Sequence, residues 1–178
     1  PARYDRIVEL IEALPNATAA DMEKIHSDVV SLRAPAIVGA LVTHVTQFTH
    51  PSGQWLVDCL TNWDCALSEE SIEASLYSVI RRRWTESVGE RLGVGSPELG
   101  GPKWPSPEAA SRMLAEAAIH LLVDENWHLV PGLESEDDLD AALSSCIDET
   151  LEELEQRLGE DNSQWTWGRL HRMASPHP

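Results

Sequence analysis

In two long stretches of this chain, apolar side chains return at every third or fourth position. Ile72, Leu76, Ile80, Trp84, Val88 and Leu92 make one series, and Leu139, Leu143, Ile147, Leu151, Leu154 and Leu158 make the other. That period places each series along one face of an α-helix, whereas a half-buried strand would alternate residue by residue. Each helix therefore carries a stripe that must be covered by another helix. No segment alternates convincingly as a strand except the last dozen residues.

Shorter helices surround these two. Arg3 to Leu14 has Tyr4, Ile7, Val8, Leu10, Ile11 and Leu14 on one broad face and stops at Pro15-Asn16. Thr18 and Asp21 have the spacing of a capping box. The helix they open should carry Met22, Ile25, Val29 and Leu32 as far as Pro35, whose ring breaks or kinks it. Ala36 to Phe48 reads as a separate buried helix, His50 to Gly53 as a turn, and Trp55 to Trp63 as another short helix. Ser68 is placed to cap the first long helix, and Gly93 to end it. Val94 to Trp104 is a Gly- and Pro-rich loop.

Ser106-Pro107-Glu108 starts a helix with proline where its missing N–H costs nothing, and Met113, Leu114, Ala117, Leu121 and Leu122 form its apolar face. Asp124 to Leu133 is irregular. Ser135 and Asp138 cap the second long helix, which Gly159 ends. Residues 164–178 read as a non-helical tail leading to a following strand. The expected fold is all-α: a single domain over residues 1–178, six or seven helices packed as an irregular bundle.

Charge narrows the function. Thirty acids against 13 bases leave a formal net charge of −17, which would repel nucleic acid or an anionic membrane surface. No apolar run reaches the length of about 20 residues needed to span a bilayer. Arg81-Arg82-Arg83 and the acids from Asp137 to Glu155 read as solvated helix faces. The seven Trp residues are expected partly at a surface facing other protein. Cys59, Cys65 and Cys146 are odd in number and form no CxxC, so buried free thiols are expected. His44 and His50, or His120 and His128, lack zinc-site spacing. A GxSxG elbow and a phosphate-binding loop are both missing. No residue is assigned a catalytic, cofactor-binding or metal-binding role.

Three stretches, in order, resemble the penicillin acylase family of N-terminal-nucleophile hydrolases. The first is Arg6-Ile7 to Ile11, then Asp21, Ile25, Asp28 to Ser31 and Ala34. The second is Leu60 to Asp64 with Leu67, Ser71, Ala74 and Leu76-Tyr77, where Cys65 stands in place of the family's usual glycine. The third is Trp165, then Trp167 to His171, and His177-Pro178.

The resemblance implies a helical excursion from the large chain of a four-layer αββα enzyme made as a self-cleaving precursor. In that family a chain-starting Ser attacks the amide, its own α-amine acts as base, and a later Asn with backbone N–H groups stabilises the oxyanion. Both residues lie upstream of the matched stretch, and Pro1 has no hydroxyl. The segment is therefore expected to be a non-catalytic scaffold, with Asp64 as a buried helix cap and His171 as an imidazole tied to backbone. Its expected partners are the small chain and the nucleophile-bearing part of the large chain. The family's calcium ligands and acyl-pocket residues belong mainly to earlier parts of the sequence. A periplasmic or secreted location and a homodimer of the fragment are further expectations. The alternative is a stand-alone acidic helical module that binds a basic partner.

Overall fold

A computed structural model describes residues 2–94 and 107–171, the side chains of residue 2 and residues 107–112 excepted. The order is α1 (Ala2–Glu12), α2 (Ala19–Ser27), α3 (Ala34–His44), α4 (Gly53–Thr61), α5 (Ile72–Arg91), α6 (Pro107–Val123), α7 (Glu136–Leu158) and α8 (Trp167–Leu170). Two 3-10 turns, Trp127–Leu129 and Asn162–Gln164, complete it. The regular secondary structure of the described residues is helical apart from one isolated antiparallel bridge between Val30 and Ala66. Seven of these helices are the expected ones. The eighth is a single turn inside the stretch read as a non-helical tail, whose last part, residues 172–178, lies outside the described residues along with residues 95–106.

The two long stripes face each other. Leu76, Ile80, Trp84 and Val88 of α5 and Leu139, Leu143, Ile147, Leu151 and Leu154 of α7 are all buried, and α5 also packs on α6. Around this pair, α3 contributes Ile37, Val38 and Leu41, α4 Leu56 and Leu60, and α6 Ala118, Ile119 and Leu122. Two tryptophans sit inside with their N–H groups satisfied, as buried indoles require. Trp84 Nε1 donates to the Ala118 carbonyl at 2.7 Å, and Trp165 Nε1 to Gly159 at 2.7 Å. Trp165 also meets Trp55 edge-on, with centroids 5.9 Å apart. Of the six described tryptophans, Trp84, Trp127 and Trp165 are buried in the core, Trp55 and Trp63 pack against it half-buried, and Trp167 is half-buried outside it.

Local signals placed most boundaries. Thr18 and Asp21 form the reciprocal capping box. Ser135 accepts from the Asp138 N–H, and Gly93 (φ 67°) and Gly159 (φ 95°) end their helices in the left-handed region open to glycine. Four expectations fail. Helix α2 stops at Ser27, because Val29 to Ser31 run extended to pair with Cys65 to Leu67; Val29 and Leu32 are 44% and 39% exposed. Pro35 then lies in the first turn of α3, where it starts a helix instead of breaking one. Ser71, not Ser68, caps α5, accepting from the Ala74 N–H at 3.0 Å. On α6 the buried face is Ala118, Ile119 and Leu122, while Met113 and Ala117 are exposed. No helix among the described residues is long and apolar enough to cross a membrane.

Candidate functional site

The charged faces of α5 and α7 are joining surfaces. Two successive arginines of α5 straddle Glu153: Arg82 Nη2 hydrogen-bonds its Oε2, and Arg83 Nη2 reaches the same oxygen at 2.8 Å. Arg83 also meets Glu149 at 3.3 Å, and Arg157 meets Glu153 at 3.0 Å. These three cations, together with hydrogen bonds from Arg82 and Arg157, hold the Glu153 carboxyl below the usual range against the opposing effect of burial. Arg82 and Arg83 of the basic run therefore clamp two helices together, while Arg81 is exposed as a solvated face would have it.

Further along α7, carboxylates hold down the connection between α3 and α4. Asp140 accepts from the Thr46 N–H at 3.1 Å and from its hydroxyl, and Asp148 accepts from the N–H groups of Thr49 (3.3 Å) and His50 (3.0 Å). Glu136 meets His44 Nδ1 at 2.9 Å, and Glu155 meets His50 Nε2 at 3.4 Å. His50 Nδ1 accepts from the Ser52 N–H, which leaves Nε2 to carry the proton toward Glu155. A cleft of about 530 Å³ runs between the connection and α7, lined in part by Phe48, Asp140, Ser144 and Asp148. Asp140 and Asp148 each accept from backbone donors of the connection, while Glu136 and Glu155 meet its two histidines, roles that their presence on one helix face did not reveal.

The residues that carry the family resemblance form a second constellation. Arg6 grips Asp28 side-on, Nε to Oδ1 at 3.1 Å and Nη2 to Oδ2 at 2.9 Å, and Arg3 caps the end of α2 through the carbonyls of Asp28 and Ile25. The hydrogen bonds and charge of Arg6 depress the Asp28 carboxyl below its ordinary value. Next along the chain, the Ser31 N–H donates to the Cys65 carbonyl at 2.8 Å and the Leu67 N–H to Val29 at 3.0 Å. Cys65 has φ 63°, so a β-carbon occupies a left-handed position that glycine would adopt without strain. Trp63 packs on Tyr77 with centroids 5.3 Å apart and donates to the Ala66 carbonyl. The loop then hands on to the third stretch: Trp167 and Gly168 donate their N–H groups to Ser71 (2.9 Å) and Glu69 (2.8 Å). A Cβ on Gly168 would lie 2.3 Å from Glu69 Cγ. Three stretches far apart in sequence are thus stitched in series, largely by backbone hydrogen bonds.

Two expectations within this constellation need correction. Asp64 is exposed and closes a turn by accepting from the Ala66 N–H at 2.9 Å; it caps no helix. The exposed His171 ring stacks on Trp167 at 4.6 Å and 10°, so its partner among the described residues is an indole face, not a backbone group. His177-Pro178 lie outside the described residues.

The three thiols lie in surroundings that do not activate them. Burial pushes all three thiols up, Cys146 to about 12, so the nucleophilic thiolate is disfavoured at each. His120 pairs with Asp124 at 3.3 Å on an exposed helix end. Among the described residues, no group of three or more His, Cys, Asp or Glu side chains is arranged to hold a metal ion.

Comparison with known proteins agrees with the constellation. The penicillin amidase family profile matches residues 1–178. Penicillin acylase 2 proenzyme from Pseudomonas sp. (strain SE83) is 27% identical over 182 residues, a match that takes in 100% of this chain and 21% of that relative. The chain thus spans about a fifth of the length of the curated relative it matches. With its three motif stretches in order and joined to one another in space, this chain belongs to the penicillin amidase family.

Proposed function

We propose that this chain is a non-catalytic scaffold segment of a penicillin-acylase-type amidohydrolase, one that cleaves the side-chain amide of penicillin-like or other N-acyl substrates. The observation that supports this most is what the motif residues do. Arg6, Asp28, Cys65, Ser71, Trp167 and Gly168 use their donors, acceptors and backbone geometry on one another. A residue engaged in fixing a chain crossing is a positioning element, and the acyl-transfer step falls to a chain-starting nucleophile elsewhere in the parent. The partners are then the small chain and the nucleophile-bearing part of the large chain. The family's calcium site would draw on residues outside this segment, and the parent would be exported.

The alternative, an acidic module for a basic partner, draws on the net charge of −17. It is weakened by how many α7 acids already have partners within the chain. The deciding experiment is turnover of a chromogenic phenylacetyl amide, measured on the full parent enzyme and on purified residues 1–178. Activity in the parent and none in the segment is expected. Turnover by the segment would end the scaffold reading.

A further inference from the structure

Helices α1 and α2 lie at the edge of the bundle, with Asp5 of α1 beside Ala36, Ile119 and Val123. The core cluster draws on α3 to α7 and the loops beside them, and takes no residue from α1 or α2. Their strongest packing is on each other, fastened by Arg3 and Arg6 at the C-terminal end of α2. Yet α1 is amphipathic. It carries Ile7, Val8 and Leu10 half-buried, Tyr4 65% exposed and Ile11 46% exposed, with no fully buried side chain among those described. An 11-residue helix is below the length of about 12–15 at which an isolated helix becomes even marginal in water, so α1 depends on tertiary cover. A groove of about 290 Å³ beside it is lined by the apolar Leu10, Ala13, Leu14 and Ile25 together with the charged Asp21, Lys24 and Asp28.

We infer that the exposed face of α1, with this groove, is the docking surface for an apolar surface of the parent enzyme lying outside residues 1–178. This rests on the scaffold reading. The relative is nearly five times as long as its matched part, so a parent of that kind supplies a large further polypeptide against which this face can pack. A covalently connected partner also acts at an effective concentration of order millimolar, well above what a second copy reaches in dilute solution. An exposed apolar stripe on a helix outside the core is the kind of surface that such a partner covers.

The test uses the full-length parent. Hydroxyl-radical footprinting of Tyr4 and Ile11 is compared between the native enzyme and the same enzyme unfolded in urea. Docking predicts at least about ten-fold protection of both residues, independent of enzyme concentration. It also predicts that Ile11→Asp lowers the parent's melting temperature by several degrees, that Ile11→Leu restores it, and that Glu12→Gln next door leaves it unchanged. Labelling of Tyr4 and Ile11 at the unfolded level, or an Ile11→Asp enzyme that melts like wild type, would overturn the docking and leave the scaffold reading intact. Protection that disappears on dilution would assign the face to a second copy and overturn it too. A native gene product with an intact mass near 19.7 kDa would instead remove the scaffold reading, and the docking with it.

Discussion

Cys65 offers a direct test of how the motif loop is built, through three substitutions compared with the wild-type chain. At φ 63° an L-residue crowds its own Cβ against the backbone, at a cost of about 1–2 kcal/mol that glycine avoids. Glycine in turn loses about 0.5–1 kcal/mol more than alanine on folding, through the freedom of its unfolded chain. Alanine would also keep a half-buried Cβ, worth a few tenths of the roughly 0.8 kcal/mol of a fully buried methylene. On balance Cys65→Gly should be more stable than Cys65→Ala by about half a kcal/mol. At Ala66, the next residue, φ is negative and burial is similar, so Ala66→Gly should cost about 1 kcal/mol. The Gly-minus-Ala difference should therefore change sign between neighbouring positions, and the gap of about 1–2 kcal/mol reports the left-handed conformation alone. Urea unfolding of the four proteins under reducing conditions, followed by tryptophan fluorescence, measures it. If glycine is the less stable choice by the same margin at both positions, residue 65 is not left-handed and the strain argument falls.

Two further outcomes follow from the partners of Asp28 and Asp140. Because Arg6 depresses the Asp28 carboxyl, the pair contributes stability that is complete above the unfolded aspartate value of 3.8 and is lost as pH falls through the depressed native value; Asp28→Asn should therefore differ from wild type at pH 6 and converge on it under acid, as urea melts across pH 2–6 would record. Asp140→Ala removes the acceptor of the Thr46 N–H, so the 45–52 connection should be cut faster by a nonspecific protease, with a loss of about 1–2 kcal/mol in global stability; unchanged cleavage would mean that the connection is held by its other contacts alone.

Much of this architecture is written in local sequence, because helix stripes, caps and glycine stops act within a few residues. The four-residue series of α5 and α7, the Thr18–Asp21 box, Ser135, Pro107 and Gly159 each fix their element without reference to the rest of the chain. The ordered motifs likewise point to the family, and the residues that carry them turn out to meet in space. What the sequence misplaced depends on partners many residues away. Helix α2 ends early because Val29 to Ser31 find hydrogen-bond partners at Cys65 and Leu67. A period-3.6 pattern in Val29 and Leu32 cannot register that competition. The acids of α7 look solvated on a helical wheel, yet Asp140 and Asp148 lie where backbone donors more than 90 residues earlier arrive. Local periodicity thus decides which side chains share a face. Only the packed chain decides which distant backbone groups that face must satisfy, since an unpaired buried N–H costs as much as a lost hydrogen bond wherever its partner sits in sequence.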